Sequence, residues 1–227
     1  MNVEMLSGKK FAASYSGGKD STLAIYRAVK AGLVPLELIT TYNTDASRSW
    51  FHGMTDSLLQ NITASLKIPI TLVKTSGEEY KENFEKALLK AGENGAEVCV
   101  FGDIDLEGHL EWCTARCEST GLIPYFPLWG ESRKNLVYEF IDEKFFSVIT
   151  IVDTSRMPEK FLGQILSREV ADAIEEGGAD ICGENGEYHT FAFDGPLFSN
   201  AVEFVVKEKL KKDKYAILSI DAPKNAF

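Results

Sequence analysis

The first 120 residues alternate between short apolar runs and amphipathic segments, and that rhythm constrains the fold more than any other feature of the chain. KKFAASY (9–15), LVPLELITTYN (33–43), PITLVKTS (69–76) and EVCVFGDI (97–104) read as strands. Residues 19–31 place Leu23, Ala24, Tyr26, Ala28 and Val29 at helical spacing, and Gly32 stops that helix. Further helices are expected near 55–66, over 78–92 and over 108–120. Strands in strict alternation with helices pair in parallel through right-handed crossovers. The first half is therefore expected to be a doubly wound parallel α/β sheet.

After IPYFPLWG the rhythm changes. The pattern predicts a helix over 134–144, a strand over 147–152 and a helix over 161–176, followed by strands and turns in 179–193 and 201–222. The expected division is a parallel α/β domain over 1–128 and a smaller α+β domain over 129–227. PYFPLWGES (124–132) reads as a rigid hinge with an apolar anchor. The lysine run at 207–214 is interleaved with Glu208 and Asp213, which favours a solvated hairpin over a nucleic-acid patch.

A chain of 227 residues with 44% hydrophobic and 26% charged residues can bury a sizeable core. Its formal net charge of −10 argues against non-specific binding to nucleic acid or anionic membranes. MNVEMLSGKKF lacks the apolar region of a signal peptide, and the longest apolar stretch, FFSVITIV (145–152), is too short to span a bilayer. A cytoplasmic location is expected. Cys99, Cys113, Cys117 and Cys182 form no C-x-x-C pair and no zinc spacing, which fits buried thiols better than sulfur chemistry.

The chemistry starts at SGGKDS (16–21), placed between the first strand and the first helix. A Walker A loop would need glycine at 13 and a hydroxyl at 20, where alanine and aspartate stand. Ser16, Gly17 and Gly18 allow a tight turn with inward N–H groups at a helix N-terminus, where anions bind. Lys19 adds a cation and Ser21 a hydroxyl. Asp20 would repel a bare phosphate unless it binds a metal or caps the helix. SGGKDS resembles the signature of the PP-loop ATP pyrophosphatases, the adenine-nucleotide α-hydrolase superfamily with its HUP-type nucleotide-binding domain. That resemblance implies cleavage of ATP between the α- and β-phosphates. The expected nucleotide contacts are Ser14, Tyr15, Ser16, Gly17, Gly18, Lys19, Asp20, Ser21 and Gly102. The adenine is expected near 38–42, with Tyr42 and Asn43 against base or ribose.

Gly102 and Asp103 follow the fourth strand, at the carboxyl edge where open α/β sheets bind ligands. Asp103 could hold Mg²⁺, orient substrate or merely cap a helix. GENGEYHTFAFDGPLF (183–198) crowds two glutamates, a tyrosine and a histidine into a short segment. SGGKDS, GDI, PLW, GE-x-GEY-x-T and DGPLF in that order resemble the diphthine–ammonia ligase family over residues 9 to about 200. The resemblance implies that an acceptor carboxylate is adenylated and then amidated by ammonium, with release of AMP and pyrophosphate. In that family the acceptor is diphthine on elongation factor 2. His189 stands where eukaryotic and archaeal members have glutamate, which resembles the bacterial branch and leaves the acceptor open.

On this reading Lys19, Asp20, Asp103, Glu187 and His189 are the catalytic candidates. Asp20 and Asp103 are the Mg²⁺ candidates. Glu184, Glu187, His189 and His52 are the acceptor-side candidates, and His109 could face the same cleft. The bland alternative pairs the glutamates with Arg116 or Arg133. The partners expected are ATP, ammonium and the acceptor carboxylate, with no membrane; a homodimer is an allowed assembly. Two other readings compete: a PP-loop tRNA sulfurtransferase, and a nucleotide-binding sensor without turnover.

Overall fold

The computed structural model describes residues 3–43, 48–49, 55–76 and 79–224. The chain forms two compact units. One comprises Met1–Ser16, Asp20–Trp50 and Ile68–Gly130; the other comprises Gly17–Lys19, Phe51–Lys67 and Glu131–Phe227. The second unit thus takes in two segments from the first half of the chain, including three residues of the SGGKDS turn.

The first unit is built on β1 (Lys10–Ser14), β2 (Val34–Asn43), β4 (Ile70–Thr75), β5 (Val98–Val100) and β6 (Ile123–Tyr125). These five strands are all parallel, in the order β4-β2-β1-β5-β6. A two-residue strand, β3 (Arg48–Ser49), adds to β2 antiparallel. The helices α1 (Lys19–Lys30), α3 (Tyr80–Glu93) and α4 (Glu107–Thr120) supply crossovers. The chain winds outward from β1 to β4, then returns past β1 to β5 and β6. That reversal makes the β1/β5 boundary the topological switch point, where ligands bind in such sheets. The expected parallel α/β sheet is present. The short strand β6 went unread because Pro124 and two flanking aromatics look like hinge residues. It exists because Val98, Cys99 and Val100 of β5 pair with Ile123, Pro124 and Tyr125.

The core of this unit joins Ala12, Ile39, Phe84, Leu88, Phe101, Cys113 and Cys117. Beyond β6, Phe126 stacks on Phe101 with centroids 5.2 Å apart, and Trp129 lies edge-on to Phe126. Leu128 is fully buried, and the Gly130 amide donates to the Ile104 carbonyl at 2.8 Å. The PLW segment is therefore an apolar anchor, as its composition suggested.

The second unit contains α2 (Asp56–Leu66), α5 (Arg133–Asp142), α6 (Arg168–Glu176) and an antiparallel sheet. The sheet order is β8-β7-β10-β9, from β7 (Phe146–Asp153), β8 (Tyr188–Asp194), β9 (Val205–Lys212) and β10 (Tyr215–Asp221). The lysine run forms the β9–β10 hairpin, turning at Asp213 with φ of 54°. Charged side chains along such an exposed edge strand discourage pairing with another chain. The helix expected over 161–176 starts late. Residues 159–161 make a single 3-10 turn, Gly163 takes φ of 83°, and Ser167 caps α6 by accepting the Val170 amide. The apolar residues 161, 162 and 166 mimic helical spacing, but the Ser167 cap resets the start. No helix among the described residues is long and apolar enough to cross a membrane.

At the end of β7, Asp153 is 1% exposed. Burial alone would raise its carboxyl, but hydrogen bonds from Lys214 and Ser155 outweigh that and bring it down to about 2. A carboxyl held below its unfolded value stabilises the fold above that value, near pH 4, and the contribution drains away as pH falls toward 2. Asp153→Ala is expected to cost about 2 kcal/mol at neutral pH, as for lost hydrogen bonds to a charged group. Urea denaturation at a series of pH values checks this: the gap between the variant and the parent should narrow below pH 4.

Candidate active site

β1 ends at Ser14, and the chain turns through residues 15–18 before α1 begins at Lys19. Tyr15 is tied down on all sides. Its ring is 2% exposed, its amide donates to the Ile39 carbonyl at 2.9 Å, and its carbonyl accepts from Thr40 Oγ1 at 2.8 Å. Burial pushes its hydroxyl well above the ordinary tyrosine range. Tyr15 therefore fixes where the turn starts, with its side chain in the core. Ser16 and Ser21 face each other across the turn, their hydroxyls 3.1 Å apart. Asp20 lies in the first turn of α1 and is half-buried.

On the other side of the switch point, Gly102 presses against the start of α1. A Cβ at position 102 would lie 2.8 Å from the Ser21 amide nitrogen and 2.9 Å from the Asp20 carbonyl carbon. Only glycine permits this approach of backbone to backbone. It puts Asp103 beside the SGGKDS turn, so the GDI and SGGKDS motifs converge although 80 residues separate them in sequence. Asp103 accepts or shares a proton with His109 Nδ1 at 3.1 Å and stands 3.9 Å from Cys113 Sγ. Desolvation raises the Asp103 carboxyl, and His109 works against that rise. His109 thus faces Asp103.

Tyr42 lies at the carboxyl end of β2 and is 7% exposed. Leu38 and Ile39, expected near the adenine, are core residues at 0% and 1%. His52 lies outside the described residues.

Gly17–Lys19 sits along the outer edge of β8. The Ala192 amide donates to the Gly17 carbonyl at 2.8 Å, and the Lys19 amide donates to Thr190 Oγ1 at 3.1 Å. Lys19 is 5% exposed; its ammonium donates to the Cys182 carbonyl and lies 5.5 Å from the centre of the Tyr188 ring. The lysine of the first motif therefore meets the GENGEYHT segment directly.

That segment is braced by Asp180, which the sequence reading passed over. Its two carboxylate oxygens accept the amides of Cys182 at 3.1 Å and Glu184 at 2.9 Å, and Arg133 Nη1 donates to it at 2.6 Å. Gly183 has φ of 70°, and a Cβ there would strike the Tyr188 ring at 2.8 Å. Tyr188 in turn donates its hydroxyl to the Ile181 carbonyl at 2.6 Å. Asp three residues ahead of a Gly-rich turn was the signal available for this brace. Glu184 and His189 are half-buried, and Glu187 is 7% exposed. Of the arginines considered from sequence, Arg133 pairs with Asp180 and Arg116 with Glu85, each at 2.6 Å. The arginine that faces Glu187 is Arg156, 3.7 Å away.

All four cysteines are reduced and buried. Burial drives the thiols of Cys99 and Cys113 upward, and the neighbouring Asp103 charge adds to the rise at Cys113. Neither of these two is poised as a thiolate nucleophile. Among the described residues, no group of three or more His, Cys, Asp or Glu side chains is arranged to hold a metal ion. Mg²⁺ in phosphate chemistry needs only one or two carboxylates, with phosphate oxygens and water completing its shell. The hard oxygen donors Asp20 and Asp103 fit that mode.

Two family models match the chain: the diphthamide synthase N-terminal domain over residues 9–124 and the diphthamide synthase C-terminal domain over residues 132–225. The chain is similar to the diphthine–ammonia ligases of Homo sapiens and Bos taurus, each 26% identical over 218 residues, covering 85% of this chain and 82% of theirs. It is 32% identical to that of Rattus norvegicus over 142 residues, covering 61% of this chain and 53% of the relative. A solved structure, a predicted subunit of tRNA methyltransferase from Methanocaldococcus jannaschii, aligns with 85% of this chain and all of its own at 15% identity and a TM-score of 0.43, too distant to bear on function.

Gly102→Ala is expected to force the start of α1 aside, costing about 1–3 kcal/mol as overpacking does. Gly108→Ala, where a Cβ would meet nothing within 4 Å, is the matched control and should be near neutral. Paired urea denaturation curves of the two variants test the close approach.

Proposed function

The chain belongs to the diphthamide synthase family, and on that premise we propose that it is an ATP-dependent amide ligase. It adenylates an acceptor carboxylate, releases pyrophosphate, and then lets ammonia displace AMP. The acceptor class is diphthine on elongation factor 2 or a related carboxylate, and the enzyme works in the cytoplasm. The observation that carries the reading is Lys19. Its amide reaches Thr190 and its ammonium reaches the Cys182 carbonyl, which supports a role for the segment that carries the acceptor-side candidates.

A carboxylate is a poor electrophile, and transfer to AMP gives it a good leaving group. In the first step an acceptor oxygen bonds to the α-phosphorus as the bond to the pyrophosphate oxygen breaks. Negative charge spreads over the phosphoryl oxygens, where Lys19, the Ser16 and Ser21 hydroxyls and the N–H groups opening α1 would stabilise it. Asp20 and Asp103 are the carboxylates that would hold Mg²⁺, which supplies charge neutralisation at those oxygens. In the second step ammonia attacks the acyl carbon and AMP departs. In this reading His189 is the base that takes the proton ammonium must lose, since an imidazole's ordinary range is close to neutral pH. Glu184 and Glu187 suit a cation on that side.

The buried, high-pKa thiols speak against a sulfurtransferase, which needs an accessible thiolate. Incubation with ATP, Mg²⁺ and ammonium, with and without diphthine-bearing elongation factor 2, tests the proposal through AMP and pyrophosphate release. Nucleotide binding without products would favour a sensor instead. Asp20→Asn and Asp103→Asn are each expected to lower AMP formation by about 10²–10³, the usual loss when a transition-state contact is removed. Glu187→Gln and His189→Ala should retain ATP affinity, measured by calorimetry, and lose acceptor-dependent AMP release.

A further inference from the structure

Arg156 lies in the turn after β7, and Asp153 fixes that turn. One Asp153 oxygen accepts the Ser155 amide at 3.0 Å and the Ser155 hydroxyl at 2.6 Å. The other accepts from Lys214 Nζ at 2.6 Å. The Arg156 and Met157 amides both donate to the Asp153 carbonyl at 3.0 Å. The Asp153 amide reaches across to the Glu187 carbonyl at 2.8 Å, so the turn and the start of β8 share a register.

The guanidinium that projects from this turn meets three points. Its Nε is 3.6 Å from Asp153 Oδ2. Its Nη1 donates to the Asn185 carbonyl at 2.7 Å and stands 3.7 Å from Glu187 Oε1. A planar guanidinium fixed at several points holds its neighbours in a set geometry that an ammonium cannot reproduce. Glu187 itself is buried. Its Oε1 has Asn185 Nδ2 at 3.4 Å, while its buried Oε2 has no hydrogen-bond partner among the described residues. Leaving a buried carboxylate oxygen open carries a desolvation cost that a cationic ligand at that oxygen would offset.

Resting on the function proposed above, we infer that Arg156 is a positioning residue for Glu187. It clamps the 183–187 turn and draws one carboxylate oxygen toward itself, which presents Oε2 to the ammonium ion consumed in amidation. Arg156 touches neither ATP nor the acceptor. Its side chain is 45% exposed, so its removal opens no cavity in the core.

The test compares wild type, Arg156→Ala and Arg156→Lys with ATP, Mg²⁺, ammonium chloride and diphthine-bearing elongation factor 2. Arg156→Ala is expected to lower kcat by about 10–100-fold, as misplacement of a reacting group does. Its KM for ATP should stay within about twofold of wild type, and its melting temperature should not change. Guanidinium ion in the buffer should restore part of the rate to Arg156→Ala, and Arg156→Lys should fall between the two. Hydrogen–deuterium exchange at the amides of 183–187 should quicken in Arg156→Ala. Normal kcat with unchanged exchange overturns the proposal, and so does a loss of kcat that guanidinium leaves untouched and a lowered melting temperature accompanies. If wild type itself releases no AMP with this acceptor, the functional reading fails. Exchange then decides the clamp alone: quickened exchange supports it and unchanged exchange refutes it.

Discussion

The hydrogen bonds that fasten Gly17–Lys19 to the edge of β8 are the contacts on which the candidate site depends. An edge strand offers a row of unpaired N–H and C=O groups, and here that row is used. Ala192 takes the Gly17 carbonyl, and Thr190 takes the amide at the head of α1. The first turn of a helix leaves N–H groups without intrahelical partners, so something must satisfy them. A threonine hydroxyl on β8 satisfies one, and that choice brings the GENGEYHT segment to Lys19. Two motifs distant in sequence are thereby joined.

The remaining groups follow a division between fixed and usable polar atoms. Tyr15 has both its backbone groups bonded and its ring in the core, so it shapes the turn. Asp180 has both carboxylate oxygens occupied by amides and an arginine, so it shapes the 182–190 segment. Asp153 does the same for the turn beneath Glu187. Glu187 differs from these two aspartates, with one buried oxygen lacking a hydrogen-bond partner among the described residues, as the Tyr15 hydroxyl and Glu37 Oε1 also do. Rigid carboxylates surrounding a less constrained one are what preorganised chemistry requires, because the supporting groups do not have to move during reaction.

The cysteines illustrate how burial removes options. Cys113 lies 3.9 Å from Asp103. Desolvation and the neighbouring carboxylate both disfavour its thiolate. The other side chains near the switch point, Ser16, Ser21, Asp20 and Asp103, carry oxygen groups. That matches phosphoryl and acyl transfer better than sulfur transfer.

The alternation of apolar runs and amphipathic helices was enough to establish a parallel sheet, because strand and helix periods are local properties of sequence. SGGKDS after a strand likewise carried its own geometry, since glycine and helix N-termini act over a few residues. Motif order was enough for the family. Other features were not local. The strand at Ile123–Tyr125 exists only because β5 offers it a partner. The start of α6 was set by one serine cap against a misleading run of apolar residues. Asp103 joins the SGGKDS turn because Gly102 lets two backbones touch, a contact 80 residues long in sequence. The pairing of Arg133 with Asp180 and of Arg156 with Glu187 was invisible in one dimension, where Arg116 looked an equal candidate. Sequence by itself determined which elements form and which chemistry they can carry. Only the tertiary structure decided which charge faces which, because Coulomb and hydrogen-bond energies depend on distances that chain spacing does not encode.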